Sequence, residues 1–350
     1  MANANVGAKL VAPVHPIDSV ALGAWLRAHV DAGIGEVVVA QYQGGQSNPT
    51  YRLTAGERRY VLRRKPPGKL LPSAHAVDRE FRVMSALAGT GVPVAKMQAL
   101  CEDDAVIGTA FYVMEYVEGR ILWDPTLPGM TPAQRAAHYD ELNRVIATLH
   151  RVDYAAIGLG DFGRTGSYIE RQVARWSKQY QAAGADRIDA MDRLIEWLPA
   201  HIPEGDETSV VHGDYRLDNV IFHPTEPRIL AVLDWELSTL GHPLSDFAYQ
   251  VMAWRLSPQE FRGIKGADLA ALGIPSEADY VAAYCLRSGR ERIANFEFYL
   301  IFNMFRIAAI LHGVLSRALQ GNAASADAVA MGSRARPVAD VAWRMARNLN

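Results

Sequence analysis

The segment Val210–Phe222, VVHGDYRLDNVIF, constrains the fold of this 350-residue chain more than any other. His212, Asp214 and Asn219 form an H-x-D-x-x-x-x-N pattern between two apolar runs, and LAVLDWE follows at Leu230–Glu236, with Asp234 at the end of its apolar stretch. Two short strands, Val220–Phe222 and Ile229–Leu233, joined as a hairpin would set the Asn219 loop beside Asp234. Phosphoryl transfer needs such parts: one carboxylate to receive a proton from an incoming hydroxyl, and an amide oxygen with a second carboxylate to hold Mg²⁺ on nucleotide phosphates. A capped turn whose charges merely solvate a loop is the bland reading. The ordered set inside apolar segments argues against it.

Composition narrows the partners. Lys plus Arg is 36 against 38 Asp plus Glu, a formal net charge of −2, which gives no reason to expect nucleic acid or an anionic membrane. Cys101 and Cys285 are the two cysteines, too far apart in sequence for a disulfide framework or metal knot, so a reducing cytoplasm is expected. The N-terminal MANANVGAKLVAPVHP lacks an apolar core of signal-peptide length. The most apolar stretch, Phe296–Leu315, contains Glu297, Asn303, Arg306 and His312 and reads as a buried helix, not a membrane span.

Along the chain, residues 18–33 read as a helix capped by Asp18 and ended by Gly33. Val37–Gln41, Thr50–Thr54 and Arg59–Arg63 read as strands broken at Gly44–Gly45 and Gly56. Residues 75–88 carry Val77, Phe81, Met84 and Leu87 at helical spacing, and Val106–Val117 reads as a hairpin ending in a buried strand. Beyond Gly119, helices are expected at 131–152, 167–184, 187–201, 244–256, 276–288, 292–320 and 336–348, interrupted only by the two strands of the hairpin. Residues 320–335 read as a mobile loop. The expected division is 1–118 and 119–350: an α+β chain with a small antiparallel sheet first and a mainly helical part second, joined near Glu115–Gly119.

HGDYRLDN and LDWE resemble the catalytic loop and metal-binding segment of the aminoglycoside phosphotransferase and choline kinase family. The resemblance implies a bilobal protein-kinase-like fold, ATP and Mg²⁺ as cofactors bound between lobes, and a small-molecule hydroxyl as acceptor. It also assigns roles. Asp214 would be the catalytic base, His212 a brace of its loop, and Asn219 and Asp234 the Mg²⁺ ligands. Gly213 after His212, and Trp235–Glu236 after Asp234, depart from the H-R-D and D-F-G of protein kinases and point to small-molecule substrates. Glu236 is a candidate to assist the metal or a substrate amine.

The resemblance extends to QGGQSNPTYRL, where Gly44, Gly45, Ser47 and Asn48 would approach phosphates; from the glycines alone this is equally a hairpin turn. In YVLRRKPPG, Val61, Arg63 and Lys65 share one face. Arg63 aligns with the family's phosphate-gripping cation, with Lys65 the other candidate and a solvated strand end the bland reading. Glu80 would be the ion-pair partner of Arg63, or else a surface charge. FYVMEYVEG is similar to a kinase hinge, so Met114, Glu115 and Val117 would border adenine. Contacts through backbone leave GTP open. STLGHPLSDFAYQ follows the family pattern except that His242 stands where Asp is expected. Asp246 would bond the catalytic loop or simply start a helix. His150, Arg306 and His312 read as buried structural groups. LLPSAHAVDRE and LDWELSTLG are similar to the subgroup fused in some animals to acyl-CoA dehydrogenase domains, which implies hydroxyacyl acceptors, free or as CoA thioesters. No flavin signature or dehydrogenase domain is expected in this chain. An aminoglycoside, choline or sugar kinase is the alternative within the fold. A non-catalytic nucleotide-binding relative is the alternative outside enzymology.

Overall fold

The computed structural model describes residues 10–43, 48–68, 76–320 and 327–349. These divide into two compact units. The first takes the chain up to Leu122 together with Ala155–Phe162 and Asp218–Ser238; the second takes Trp123–Tyr154, Gly163–Leu217 and the chain from Thr239 onward. The expected cut after residue 118 put everything later into one lobe. Instead, the hairpin that follows Asn219 packs within the first unit: Val232 N–H bonds Pro93 O at 2.9 Å, and Arg120 and Phe222 exchange two backbone bonds of 2.8 Å.

Ten strands occur among the described residues. Six form the sheet of the first unit: β1 (Leu10–Val11), β2 (Val38–Tyr42), β3 (Thr50–Ala55), β4 (Arg58–Arg64), β5 (Met97–Cys101) and β6 (Phe111–Glu115), all antiparallel in the order β1-β2-β3-β4-β6-β5. Ala55 faces Arg58, so a two-residue loop joins β3 to β4. Such a loop needs a positive φ, which Gly56 supplies at +61°. Alternation sorts the two faces. Tyr51, Leu53, Leu62, Phe111 and Val113 share a core with Leu22 and Leu26 of α1 (Ser19–His29). Arg63 and Tyr112, paired in register, belong to the other face, which α2 (Val77–Leu87) covers. Asp18 caps α1 as expected, but the helix stops at His29, with the Val30 N–H on Leu26 O, four residues before Gly33. The expected hairpin at 106–117 is a turn of helix, α3 (Asp104–Ile107), leading into β6, which pairs antiparallel with β4 and β5. Mixed apolar and polar residues in MQALC hid β5 from the periodicity.

Strands β8 (Val220–Phe222) and β9 (Ile229–Val232) make the expected hairpin. Beyond Gly119 two further strands were not expected, β7 (Ser209–Val211) and β10 (Thr239–Gly241). They pair with each other as a short ribbon in the second unit. Three residues each is too short for a two-residue period to show.

Helices dominate that unit. In chain order they are α4 (Pro132–His150), α5 (Tyr168–Gln181), α6 (Asp189–Ala200), α7 (Pro243–Val251), α8 (Pro258–Phe261), α9 (Leu269–Leu272), α10 (Glu277–Ser288), α11 (Phe296–Leu319), α12 (Ala328–Gly332) and α13 (Ala335–Arg347). Thr131 and Gln134 form a capping box at the start of α4, with Pro132 at its first position. By length and composition α11 could cross a membrane, yet it packs against α5, α7, α12 and α13 with most of its side chains buried. α12 lies where a mobile loop was expected; residues 321–326 of that stretch are outside the described residues. Phe247 of α7 stacks on Tyr284 of α10 with ring centres 3.8 Å apart, and Tyr280 and Trp254 extend the ring cluster. α7 is therefore fixed by large apolar contacts before it reaches any polar group.

Gly119 marks the tightest approach in the first unit. A Cβ there would lie 2.3 Å from Phe222 O and 2.4 Å from Ile221 Cγ2. Gly119→Ala must push the hairpin away, and a loss of roughly 1–3 kcal/mol is expected, read as a lower urea midpoint with an unchanged slope.

Candidate active site

In the first unit the site is built around one guanidinium. β4 aims Arg63 at three carboxylates: Glu80 Oε2 at 3.1 Å from Nε, and Asp234 Oδ1 at 2.7 Å and Glu236 Oε2 at 3.3 Å from Nη2. The Arg63 side chain is 14% exposed and that of Glu80 2%. Glu80 also accepts the Asn48 amide at 2.7 Å and the Tyr112 hydroxyl at 3.1 Å. Burial alone would lower the Arg63 pKa, but Glu80, Asp234 and Glu236 outweigh it and keep the guanidinium charged. At Glu80 burial dominates, holding its carboxyl above the ordinary range against the pull of Arg63.

Asp234, two residues past β9, takes a left-handed conformation, φ +64°, which starts the 3-10 turn Trp235–Leu237. Trp235 anchors that turn: its ring is buried and its Nε1–H bonds Val232 O at 2.9 Å. Asn219 stands across the hairpin, its carbonyl accepting Leu233 N–H at 2.8 Å. Amide and carboxylate oxygens at Asn219, Asp234 and Glu236 are hard donors of the kind Mg²⁺ takes while keeping some of its water, so the donor set fits that ion.

The sequence-expected residues of this unit separate clearly. Arg63, Glu80 and Asp234 meet, and Glu236 joins them. Lys65 does not; its ammonium is 3.9 Å from Asp78. Asn48 is buried and braces Glu80. Sequence reasoning missed that role, although Asn48 stands two residues before the strand that leads to the site. Met114 is buried in β6 opposite Val61. The Glu115 N–H is committed to Lys96 O at 2.9 Å, and Val117 lies just past the strand. Gly44, Gly45 and Ser47 lie outside the described residues.

In the second unit the loop that carries His212, Gly213 and Asp214 is held by a buried carboxylate. Asp246, buried on the first turn of α7, accepts the backbone N–H groups of His212 at 2.7 Å and Gly213 at 2.8 Å. His150 Nε2 sits 3.2 Å from the same carboxylate, with Tyr284 at its other nitrogen. Burial alone would raise the Asp246 pKa; His150 and the loop donors hold it below the usual carboxylate value. The choice left open between a loop contact and a plain helix start is thus decided: Asp246 does both. His212 is fully buried, and its Nδ1 accepts the Asp214 N–H at 3.1 Å. Arg306 donates to Gly213 O at 2.6 Å, so this buried group is structural in a specific sense. His312 meets Asp186 O at 2.9 Å. The Asp214 side chain keeps 20% exposure, with Tyr249 Oη–H and Arg216 Nε as donors to its carboxylate. Tyr249 was not foreseen; its spacing of three from Asp246 on a helix was the available signal. A separate cleft of about 900 Å³ among α4, α9 and α10, lined by Ala137, Ile274, Pro275 and Tyr280, contains none of the expected site residues.

His242 explains its own departure from the expected Asp. It is the N-cap of α7, and its Nδ1 accepts the Leu244 N–H at 3.2 Å, the service an Asp carboxylate would give. The neutral ring then carries its proton on Nε2, 3.3 Å from the Tyr299 hydroxyl.

A buried cation on a sheet opposite a helical glutamate, a hairpin that ends in an amide and a carboxylate, and a loop that presents an aspartate define a phosphotransferase of kinase-like fold. Residues 38–293 match the model of the phosphotransferase enzyme family, and the chain belongs to that family. It is 51% identical over 315 residues to acyl-CoA dehydrogenase family member 10 of Mus musculus, covering 89% of this chain and 29% of that protein. It is 44% identical over 347 residues to acyl-CoA dehydrogenase family member 11 of Homo sapiens, covering 96% of this chain and 44% of that protein. The chain thus spans less than half the length of these relatives. Among solved structures it is similar to a Ralstonia eutropha protein provisionally described as an aminoglycoside phosphotransferase, with a TM-score of 0.88, 57% identity, and coverage of 95% of this chain and 99% of that one. A choline kinase from Cryptosporidium parvum shares the fold at a TM-score of 0.61 and 14% identity, covering 95% and 96% of the two chains.

Two outcomes are expected from these contacts. Arg63→Met strands Glu80 and should cost about 3–5 kcal/mol near pH 8, as urea unfolding would show; the loss should shrink toward pH 5, where the stranded carboxyl can take a proton. For His242, burial holds the folded pKa below its ordinary 6.5. As pH falls below about 6.5, the unfolded chain binds a proton that the folded chain refuses, so stability declines. Protonation of Nδ1 would remove a cap of roughly 0.5–2 kcal/mol. His242→Asn, which caps without titrating, should therefore lose less melting temperature than the wild type between pH 7.5 and 5.

Proposed function

We propose that this chain transfers the γ-phosphoryl group of ATP to an alcohol hydroxyl on a small molecule, a hydroxyacyl compound being the acceptor class. The observation that carries the reading is the state of Asp214. Its backbone neighbours are pinned by a buried carboxylate, while its own carboxylate stays partly exposed. A buried loop that leaves one acidic group accessible suits a base that meets a substrate.

In this reading Asp214 accepts a hydrogen bond from the acceptor hydroxyl and takes its proton as the oxygen attacks the γ-phosphorus. Arg63 gives the nucleotide phosphates a charge partner, and Glu80 fixes the direction of that guanidinium. Asn219 and Asp234 would hold Mg²⁺, with Glu236 beside them; when bound, the ion neutralises phosphate charge. The backbone of Glu115 and Val117, with Met114 behind, borders the base. Catalysis rests on positioning and charge stabilisation. The acceptor class rests on likeness to relatives named as acyl-CoA dehydrogenase family members, whose full lengths exceed this chain.

Asp214→Asn should lower turnover roughly 10²- to 10⁴-fold while leaving the affinity for Mg-ATP near wild type, measured by calorimetry. Wild-type turnover in that variant would end the base assignment. A coupled ADP-release assay over hydroxyacyl-CoA thioesters, free hydroxy acids, choline, sugars and aminoglycosides tests the acceptor; stimulation by an aminoglycoside alone would overturn the hydroxyacyl reading.

A further inference from the structure

We propose that Tyr249 is a positioning residue of the transfer reaction, its hydroxyl setting the rotation of the Asp214 carboxylate. The inference rests on the reading of Asp214 as the base and deepens it. An aspartate carboxylate turns about a broad, soft torsion. A base in a near-attack arrangement cannot leave that torsion undefined, because a misplacement of about 1 Å costs on the order of 100-fold in rate.

The two donors at Asp214 are unequal. Arg216 Nε lies 3.2 Å from Oδ1 and 3.3 Å from Oδ2, but Arg216 rides on the same loop two residues away and is 26% exposed. Tyr249 reaches Oδ1 at 2.5 Å from another element, α7, and is 5% exposed. It follows Asp246 by one helical turn, so the two share a face of α7. Asp246 fixes the main chain of residues 212 and 213, and Tyr249 fixes the side chain of residue 214. One helix face thus sets both the height of the loop and the orientation of its carboxylate.

A second contact secures the phenol itself. The Arg306 guanidinium lies over the Tyr249 ring, 5.3 Å from its centre, and the same group donates to Gly213 O at 2.6 Å. Asp214, Tyr249, Arg306 and Gly213 close a ring of contacts around the loop. Burial, reinforced by the Asp214 charge, keeps the phenol protonated, so it acts as a donor and does not compete for the substrate's proton. Tyrosine suits the task because a rigid ring on two torsions loses little freedom when it is fixed.

The test is a double-mutant cycle with Tyr249→Phe and Asp214→Asn. It is read as ADP release from Mg-ATP, with a hydroxyacyl-CoA thioester as acceptor and in parallel with water. Phenylalanine keeps the ring under Arg306 and deletes only the hydroxyl. The expected result is a fall in kcat of roughly 10- to 100-fold, with Mg-ATP affinity and acceptor KM near wild type. In the Asp214→Asn background the same change should add nothing, because Tyr249 acts through that carboxylate. Tyr249→His, which returns an N–H donor, should recover part of the loss, with all variants assayed below their melting temperatures. Wild-type kcat in Tyr249→Phe, or an equal proportional loss in the Asp214→Asn background, would overturn the inference and leave the base assignment standing. Wild-type turnover in Asp214→Asn alone would instead remove the base reading on which it rests.

Discussion

One buried guanidinium lets three acidic residues from two separate chain segments share the inner face of the first unit. Without Arg63, Glu80 would be a carboxylate in an apolar interior, and Asp234 and Glu236 would repel it and each other. The rest of that face is organised to serve the pair. Tyr112 and Asn48 give Glu80 two further donors, and the register of β4 against β6 sets Arg63 opposite Tyr112. This is an expensive arrangement to build inside a small sheet. It also leaves three negative charges around one positive charge, an environment suited to a divalent cation and to phosphates that can replace a carboxylate at the guanidinium.

The second unit solves a different problem with the opposite charge. Here a buried carboxylate, Asp246, satisfies backbone donors of a loop that would otherwise end a short strand unpaired. α7 can do this because stacked rings, Phe247 on Tyr284 with Tyr280 alongside, fix it to α10. The apolar packing supplies rigidity, and the carboxylate converts rigidity into a defined loop shape. Even the substitution of His242 for the expected acid respects that logic, since a neutral imidazole caps the same helix through Nδ1.

Much of this was legible in the chain. Apolar runs on both sides of His212, Asp214 and Asn219 gave β8 and β9 to within a residue, because short buried strands bounded by polar loops leave a sharp contrast. The long amphipathic helices were equally plain. What escaped notice was structure whose signal is shorter than its period or mixed in polarity: the short strands β1, β7 and β10, strand β5, and the single turns α3, α8, α9 and α12. Helix ends also drifted, as at His29, where the loss of apolar spacing stops α1 before the glycine does. Among site residues, Arg63 and Lys65 could not be separated by alternation, which puts both on one face. Geometry separates them, sending one to Glu80 and the other to Asp78.

The sequence alone determined the family, the order of the HGDYRLDN and LDWE segments, and the hairpin strands between them. Those properties live in local spacing and in the contrast between apolar and polar runs. Only the tertiary structure decided which groups meet. Asn48 on Glu80, His242 as a cap, Arg306 on the loop carbonyl and Tyr249 on Asp214 join residues 32, 2, 93 and 35 positions apart. Apart from the local cap, such pairings are set by how elements pack. A side chain's partner across that distance depends on the register of strands and the rotation of helices, which no local pattern in a single chain encodes.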